Sequence, residues 1–173
     1  MNLADEILRE HSRAQASRIA AWVGNDRGRF RRLMALFLKG DYRITQRAAW
    51  PVGLCAERHP ALIRPWLRRM VERMQEPGTH DAVRRNVVRI LQFTDIPQSL
   101  VGPLANICFT YLSSADQPIA VKVFSMTVLG RIAAKEPDLV RELRLVIEQQ
   151  LPYGSAGFRA RARMVLKSLP ASG

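Results

Sequence analysis

Pro60-Ala61-Leu62-Ile63-Arg64 returns 77 residues later as Pro137-Asp138-Leu139-Val140-Arg141, and this recurrence decides how the chain is read. Between the two copies lies a looser one, Pro97-Gln98-Ser99-Leu100-Val101, 37 residues after the first and 40 before the last. A second register keeps the same time. Arg47, Arg85, Lys122 and Arg161 stand at steps of 38, 37 and 39, each ahead of a largely apolar run. A unit of about 38 residues is the length of two helices and two turns. Each proline stands where a helix begins, because a missing N–H costs nothing in the first turn. It also closes the preceding helix, since the residue before proline avoids the α region.

Outward from these anchors, apolar residues recur at helical spacing and no alternating strand pattern appears. The periodicity predicts helices over 2–22, 27–39, 44–58, 61–75, 81–94, 98–112, 118–135, 138–150 and 157–168. Gly40-Asp41, Pro77-Gly78-Thr79 and Pro152-Tyr153-Gly154-Ser155 supply turns between them. In 81–94, Val83, Val87, Ile90 and Leu91 fall on one side, and Arg85 and Arg89 on the other. In the last helix Phe158, Ala162, Val165, Leu166 and Leu169 form the apolar stripe. Pro51 within 44–58 predicts a kink.

Asp41 to Arg47 and Asp116 to Lys122 are both six apart, the basic residue opening the second helix of a pair. That spacing and the period together resemble HEAT repeats. The resemblance implies an all-α, right-handed α-α solenoid of about four helix pairs, near 26–59, 60–95, 96–136 and 137–169, after an N-terminal helix. The whole of 1–173 would be one HEAT-like domain. In HEAT repeats the turn Asp and the following Arg form a hydrogen-bonded ladder; Thr79 and Ser155 stand where repeats two and four would want the acid. The second helices line the concave, partner-binding side. The residues this assigns to binding are Arg47, Trp50, Arg85, Arg89, Lys122, Arg159, Arg161, Arg163 and Lys167. Arg159, Arg163 and Lys167 recur at i, i+4 and i+8, a basic strip beside the buried stripe.

The chain carries 27 Lys+Arg against 15 Asp+Glu, a formal charge of +12, with arginine far outnumbering lysine. Guanidinium forks suit carboxylate and phosphate oxygens, and such a surplus draws anions. A high arginine content also follows from a GC-rich genome, and the helix-start cations have a ready structural job in the ladder. The leading expectation is a non-catalytic scaffold for a protein partner with an acidic surface. The alternative is a nucleic-acid binder. A weaker resemblance, to HEAT-like bacterial alkylpurine-DNA glycosylases, has Asp41, Arg47 and Trp50 as its nearest cluster but no Trp-Asp motif.

Two readings of Trp50 stand side by side: a core residue, or an exposed ring that stacks on a base or anchors a peptide. Trp22 follows Arg18 by four and repeats the theme; Trp66 reads as an interior residue. Arg64, Arg68, Arg69 and Arg73, with Glu72 and Glu76 close by, read as a solvated outer face. His11, His59 and His80 are scattered without ligand spacing, and no phosphate loop, nucleophile elbow or metalloprotease motif occurs. No metal, cofactor or catalytic residue is therefore expected. Cys55 and Cys108, far apart among apolar residues, read as buried reduced thiols. With no signal-peptide core and no apolar run of membrane-spanning length, the expected location is the cytoplasm. The last helix has no successor, so its far face is expected to be covered by another chain or a second copy. Ser172-Gly173 reads as tail.

Overall fold

Four of the helices start where a short polar side chain closes the first turn. The computed structural model describes residues 1–171, and the Ser172-Gly173 tail lies outside them. Ser12, Asp26, Asp41 and Ser155 each accept the backbone N–H three residues on, at 3.1, 2.8, 2.8 and 3.2 Å. Each such cap satisfies one of the donors a helix start leaves over. Among the described residues there is no strand. The chain divides into two compact units, Met1–Thr94 and Asp95–Gly173.

The first unit holds α1 (Leu3–Arg9), α2 (Arg13–Val23), α3 (Arg27–Lys39), α4 (Tyr42–Arg58), α5 (Pro60–Ile63), α6 (Leu67–Gln75) and α7 (Asp81–Leu91). The segment read as one helix over 2–22 is thus broken at residues 10–12. Ser12 caps α2, and Gln15 reaches back to the Glu6 carbonyl at 2.6 Å and the Glu6 carboxylate at 3.0 Å. The helix read over 61–75 is broken as well: a 3₁₀ turn, Arg64–Trp66, separates α5 from α6. Pro65 explains it, since a proline ring clashes with the carbonyl four residues back. Pro51, by contrast, sits buried within a continuous α4.

In this unit α3 pairs with α4 and α6 with α7, while α2, α4 and α7, the second helices, lie side by side. Phe30, Leu33, Met34 and Phe37 of α3, Met70 and Met74 of α6, and Ala48, Ala49 and Val52 of α4 are all essentially inaccessible. The alanines let α4 approach both its pair-mate and its neighbours while the large side chains fill the space.

The second unit holds α8 (Gln98–Ser113), α9 (Ile119–Ala133), α10 (Val140–Gln150) and α11 (Ala156–Ser168), with 3₁₀ turns at Pro137–Leu139 and Leu151–Tyr153. Again α8 pairs with α9, and the second helices α9 and α11 pack together. Their approach is close at Gly130: a Cβ there would lie 2.9 Å from Val165 Cγ1. Leu104, Cys108 and Leu112 of α8, Met126 and Leu129 of α9, Leu143 and Ile147 of α10, and Phe158 and Ala162 of α11 are all buried. Leu166, assigned to the stripe, is half-buried at its edge.

Cys55 and Cys108 are free and buried, as their surroundings in sequence imply. Burial pushes the Cys55 thiol up to about 11, against a small opposing effect of Arg58, and the Cys108 thiol up to about 12. Among the described residues no helix is long and apolar enough to cross a membrane, and no three His, Cys, Asp or Glu cluster as metal ligands would.

Candidate basic interface

The four cations spaced one repeat apart all reach across to a neighbouring helix pair or segment. Arg47 Nη1 donates to the Leu8 carbonyl at the end of α1, 2.7 Å. Arg85 Nη2 donates to Gln46 Oε1 on α4. Lys122 Nζ donates to Gln150 Oε1 on α10 at 3.1 Å, and Arg161 Nη1 to Thr127 Oγ1 on α9 at 2.6 Å. Within each unit these cations tie neighbouring helices together, but their partners are not the expected aspartates. Asp41 is occupied in capping α4, and Asp116 is exposed in its turn. The oxygens that accept from Arg47, Arg85 and Lys122 are carbonyl and amide oxygens, which hold a cation in place without neutralising it.

Further ties between the repeats lie on the other helices. Arg73 Nε donates to the Leu38 carbonyl at 2.9 Å, His80 Nε2 meets the Gly40 carbonyl at 3.3 Å, and Gln150 Nε2 donates to the Leu112 carbonyl at 2.8 Å. Arg73 is therefore not part of a purely solvated strip, although Arg69 and Arg73 do pair with Glu76 as their spacing implied.

Four of the nine acidic side chains of the first unit are paired with other arginines. Glu6 pairs with Arg9 and Arg18, Asp26 with Arg29, Glu76 with Arg69 and Arg73, and Asp81 with Arg84. Of the whole surplus, residues 1–94 carry 18 Lys+Arg against 9 Asp+Glu, and residues 95–173 carry 9 against 6. Most of the unbalanced charge therefore belongs to the first unit. Among the described residues, Arg43, Arg47, Arg85 and Arg89 on α4 and α7 have no carboxylate within ion-pair distance. Arg89 is half-buried, and its guanidinium is pushed below its ordinary range first by burial and then by the like charge of Arg85, with Glu57 opposing.

Trp50 is half-buried, its ring tilted against the exposed imidazole of His11 with centroids 5.7 Å apart. It is neither a sealed core residue nor a fully exposed platform. His11 also lines a shallow open depression with Tyr42, Arg43, Gln46 and Arg47. Trp22 does not repeat this arrangement with Arg18, which is held by Glu6 instead. Its ring lies under Arg29 and Arg32 of α3, at 4.9 and 5.8 Å. Trp66 is half-buried in its 3₁₀ turn.

Of the residues chosen from sequence, the first unit gathers Arg47, Trp50, Arg85 and Arg89 on its adjoining second helices. The second unit carries Lys122, Arg159, Arg161, Arg163 and Lys167. Arg159, Arg163 and Lys167 are exposed, a true basic strip, while Lys122 and Arg161 are half-buried. Sequence reasoning passed over His11, Tyr42, Arg43 and Gln46. Spacing marks two of them: Arg43 precedes Arg47 by one turn, and Gln46, with no local signal, precedes Arg85 by 39 residues, about one repeat.

Compared with models of known families, residues 3–169 match the HEAT repeat domain. No curated protein and no solved structure matches the chain.

Proposed function

Because this chain belongs to the HEAT repeat family, an all-α solenoid class whose repeats generally serve as protein-interaction scaffolds, we propose that it is a non-catalytic scaffold for an acidic protein partner. Residues 1–173 act as one HEAT-like domain in this reading, and the partner lies along the basic second helices. One observation carries it: Arg47, Arg85 and Lys122 are tied in place by neutral oxygens, so the fold fixes their charge without cancelling it. Two opposite charges 4 Å apart at a protein surface attract by about 4 kcal/mol before the costs of desolvation and ordering. A carboxylate from outside gains that attraction, whereas an internal partner would already have used it. The exposed Arg159, Arg163 and Lys167 extend the same chemistry in the second unit.

Nucleic acid is the second reading, supported by the formal charge of +12 and that exposed strip. One titration separates the two. A labelled poly-glutamate peptide and a labelled DNA duplex are followed by anisotropy at several salt concentrations, with wild type and with Arg85, Arg89, Arg159 and Arg163 changed to glutamate. The scaffold reading expects saturable peptide binding that weakens with salt and is lost in the variant. It fails if the peptide does not bind at low salt. Tight duplex binding with a steep salt slope that the variant flattens would transfer the conclusion to nucleic acid.

A further inference from the structure

Gln46 supplies the one side-chain amide lining the depression, and its orientation is not free. Its Oε1 accepts from Arg85 Nη2 and, at 3.4 Å, from Asn86 Nδ2. Asn86 is buried and anchored in turn by the Ala82 carbonyl at 2.8 Å. A guanidinium has donors only, so the Gln46 atom it meets must be the oxygen. The amide's NH₂ group is thereby left as the free end. Among the described residues nothing accepts from it.

The guanidinium groups in the depression are donors of the same kind. Arg47 spends one N–H on Leu8 and keeps others; Arg43 is exposed and has no ion pair among the described residues. Two arginines and an amide pre-turned to donate thus share one small concavity, and no carboxylate lines it. Tyr42, 53% exposed, and His11 supply flat carbon surface beside them. That combination accepts an oxyanion on a short aliphatic stem.

We propose that this depression is the specificity notch of the scaffold, seating a glutamate side chain of the partner. Its carboxylate accepts from Gln46 Nε2 and the Arg43 and Arg47 guanidinium groups, and its methylenes rest on Tyr42 and His11. The proposal rests on the acidic-partner reading and names the contact within it. Arg85 and Asn86 act as positioning residues through Gln46.

The test uses the full chain and two capped peptides, Ac-Gly-Glu-Glu-Glu-Gly-NH₂ and its Gln-for-Glu counterpart, with inorganic phosphate as a third probe. Side-chain amide resonances are followed by ¹⁵N–¹H NMR, and the Gln46 pair is assigned by its loss in Gln46→Met. Saturable movement of that pair by the glutamate peptide alone is expected, with about tenfold weaker binding in Gln46→Met. Gln46→Glu keeps the acceptor for Arg85, puts an anion in place of the donor, and is expected to abolish binding while the backbone spectrum persists. Equal binding by wild type and Gln46→Met, with the Gln46 pair unmoved, overturns the notch and leaves the scaffold reading standing. Equal shifts from both peptides, or saturation by phosphate that blocks the peptide, overturn the glutamate assignment. Absence of any peptide binding at low salt removes both.

Discussion

Substituting Gly130→Ala tests the close approach of the second helices more sharply than any truncation. Gly130 is buried three residues from the end of α9, facing Val165 of α11. In an isolated helix the change would gain up to about 1 kcal/mol, the difference in helix propensity between Ala and Gly. Here the new Cβ would sit 2.9 Å from Val165 Cγ1, closer than two carbons tolerate, with Val165 Cγ2 and Cβ at 3.8 and 3.9 Å. Valine has essentially one rotamer in a helix, so it cannot swing aside, and the helices must part. Overpacking of this kind costs about 1–3 kcal/mol. The clash wins narrowly, for a net loss of roughly 1 kcal/mol. Val165→Ala alone removes two buried carbons and should cost about 2 kcal/mol. In the double variant the methyl introduced at position 130 occupies space Val165 has vacated, so the two effects should fall short of their sum by at least about 1 kcal/mol. Urea unfolding of the four proteins, read as midpoint shifts at constant slope, measures this coupling. The reasoning is refuted if Gly130→Ala stabilises by the full propensity gain, or if the two changes add within about 0.3–0.5 kcal/mol.

Removing a cap should act locally: Asp41→Ala loses the oxygen that accepts from Ile44 N–H and should cost about 1 kcal/mol, with Asp41→Asn close to neutral, by urea midpoint. Cys55 and Cys108, buried and with thiols pushed up to about 11 and about 12, should resist Ellman's reagent in the native state at pH 8 and react together once urea unfolds the chain; rapid native labelling would contradict this. Glu6 is held below its ordinary carboxylate range by the Gln15 amide and then Arg18 and Arg9, and Glu76 by Arg69 and Arg73. A depressed carboxylate contributes stability above its unfolded value, near 4.5, that is lost as pH falls through the folded one. Glu6→Gln and Glu76→Gln should therefore lower stability at pH 7 and flatten its decline between about pH 5 and 2; an unchanged pH profile would count against these pairings.

Membership in a helical-repeat class was open to reading because its determinants are local. Prolines at helix starts, glycine-bearing turns and the helical spacing of apolar residues act within a few positions, and the 3.6-residue stripe survives whatever it later packs against. The helix over 27–39 is found as Arg27–Lys39 for that reason. Even the two breaks had local causes in plain view, the Ser12 cap with Gln15 and the ring of Pro65, outweighed in the reading by the apolar periodicity running through them.

The chain's amino acids by themselves determine the helices, the repeat and the excess of arginine, since each depends on identity and near-neighbour spacing. Only the tertiary structure decides what each arginine meets. The HEAT resemblance implied a hydrogen-bonded Asp–Arg ladder, yet Asp41 closes the turn of its own helix and Arg47 finds a carbonyl 39 residues earlier. Gln46 gives no local signal of importance; its amide acquires a direction from Arg85 and Asn86 on the next repeat. Hydrogen bonds demand ångström-level placement of two groups at once, and across repeats that placement comes from how the helices pack.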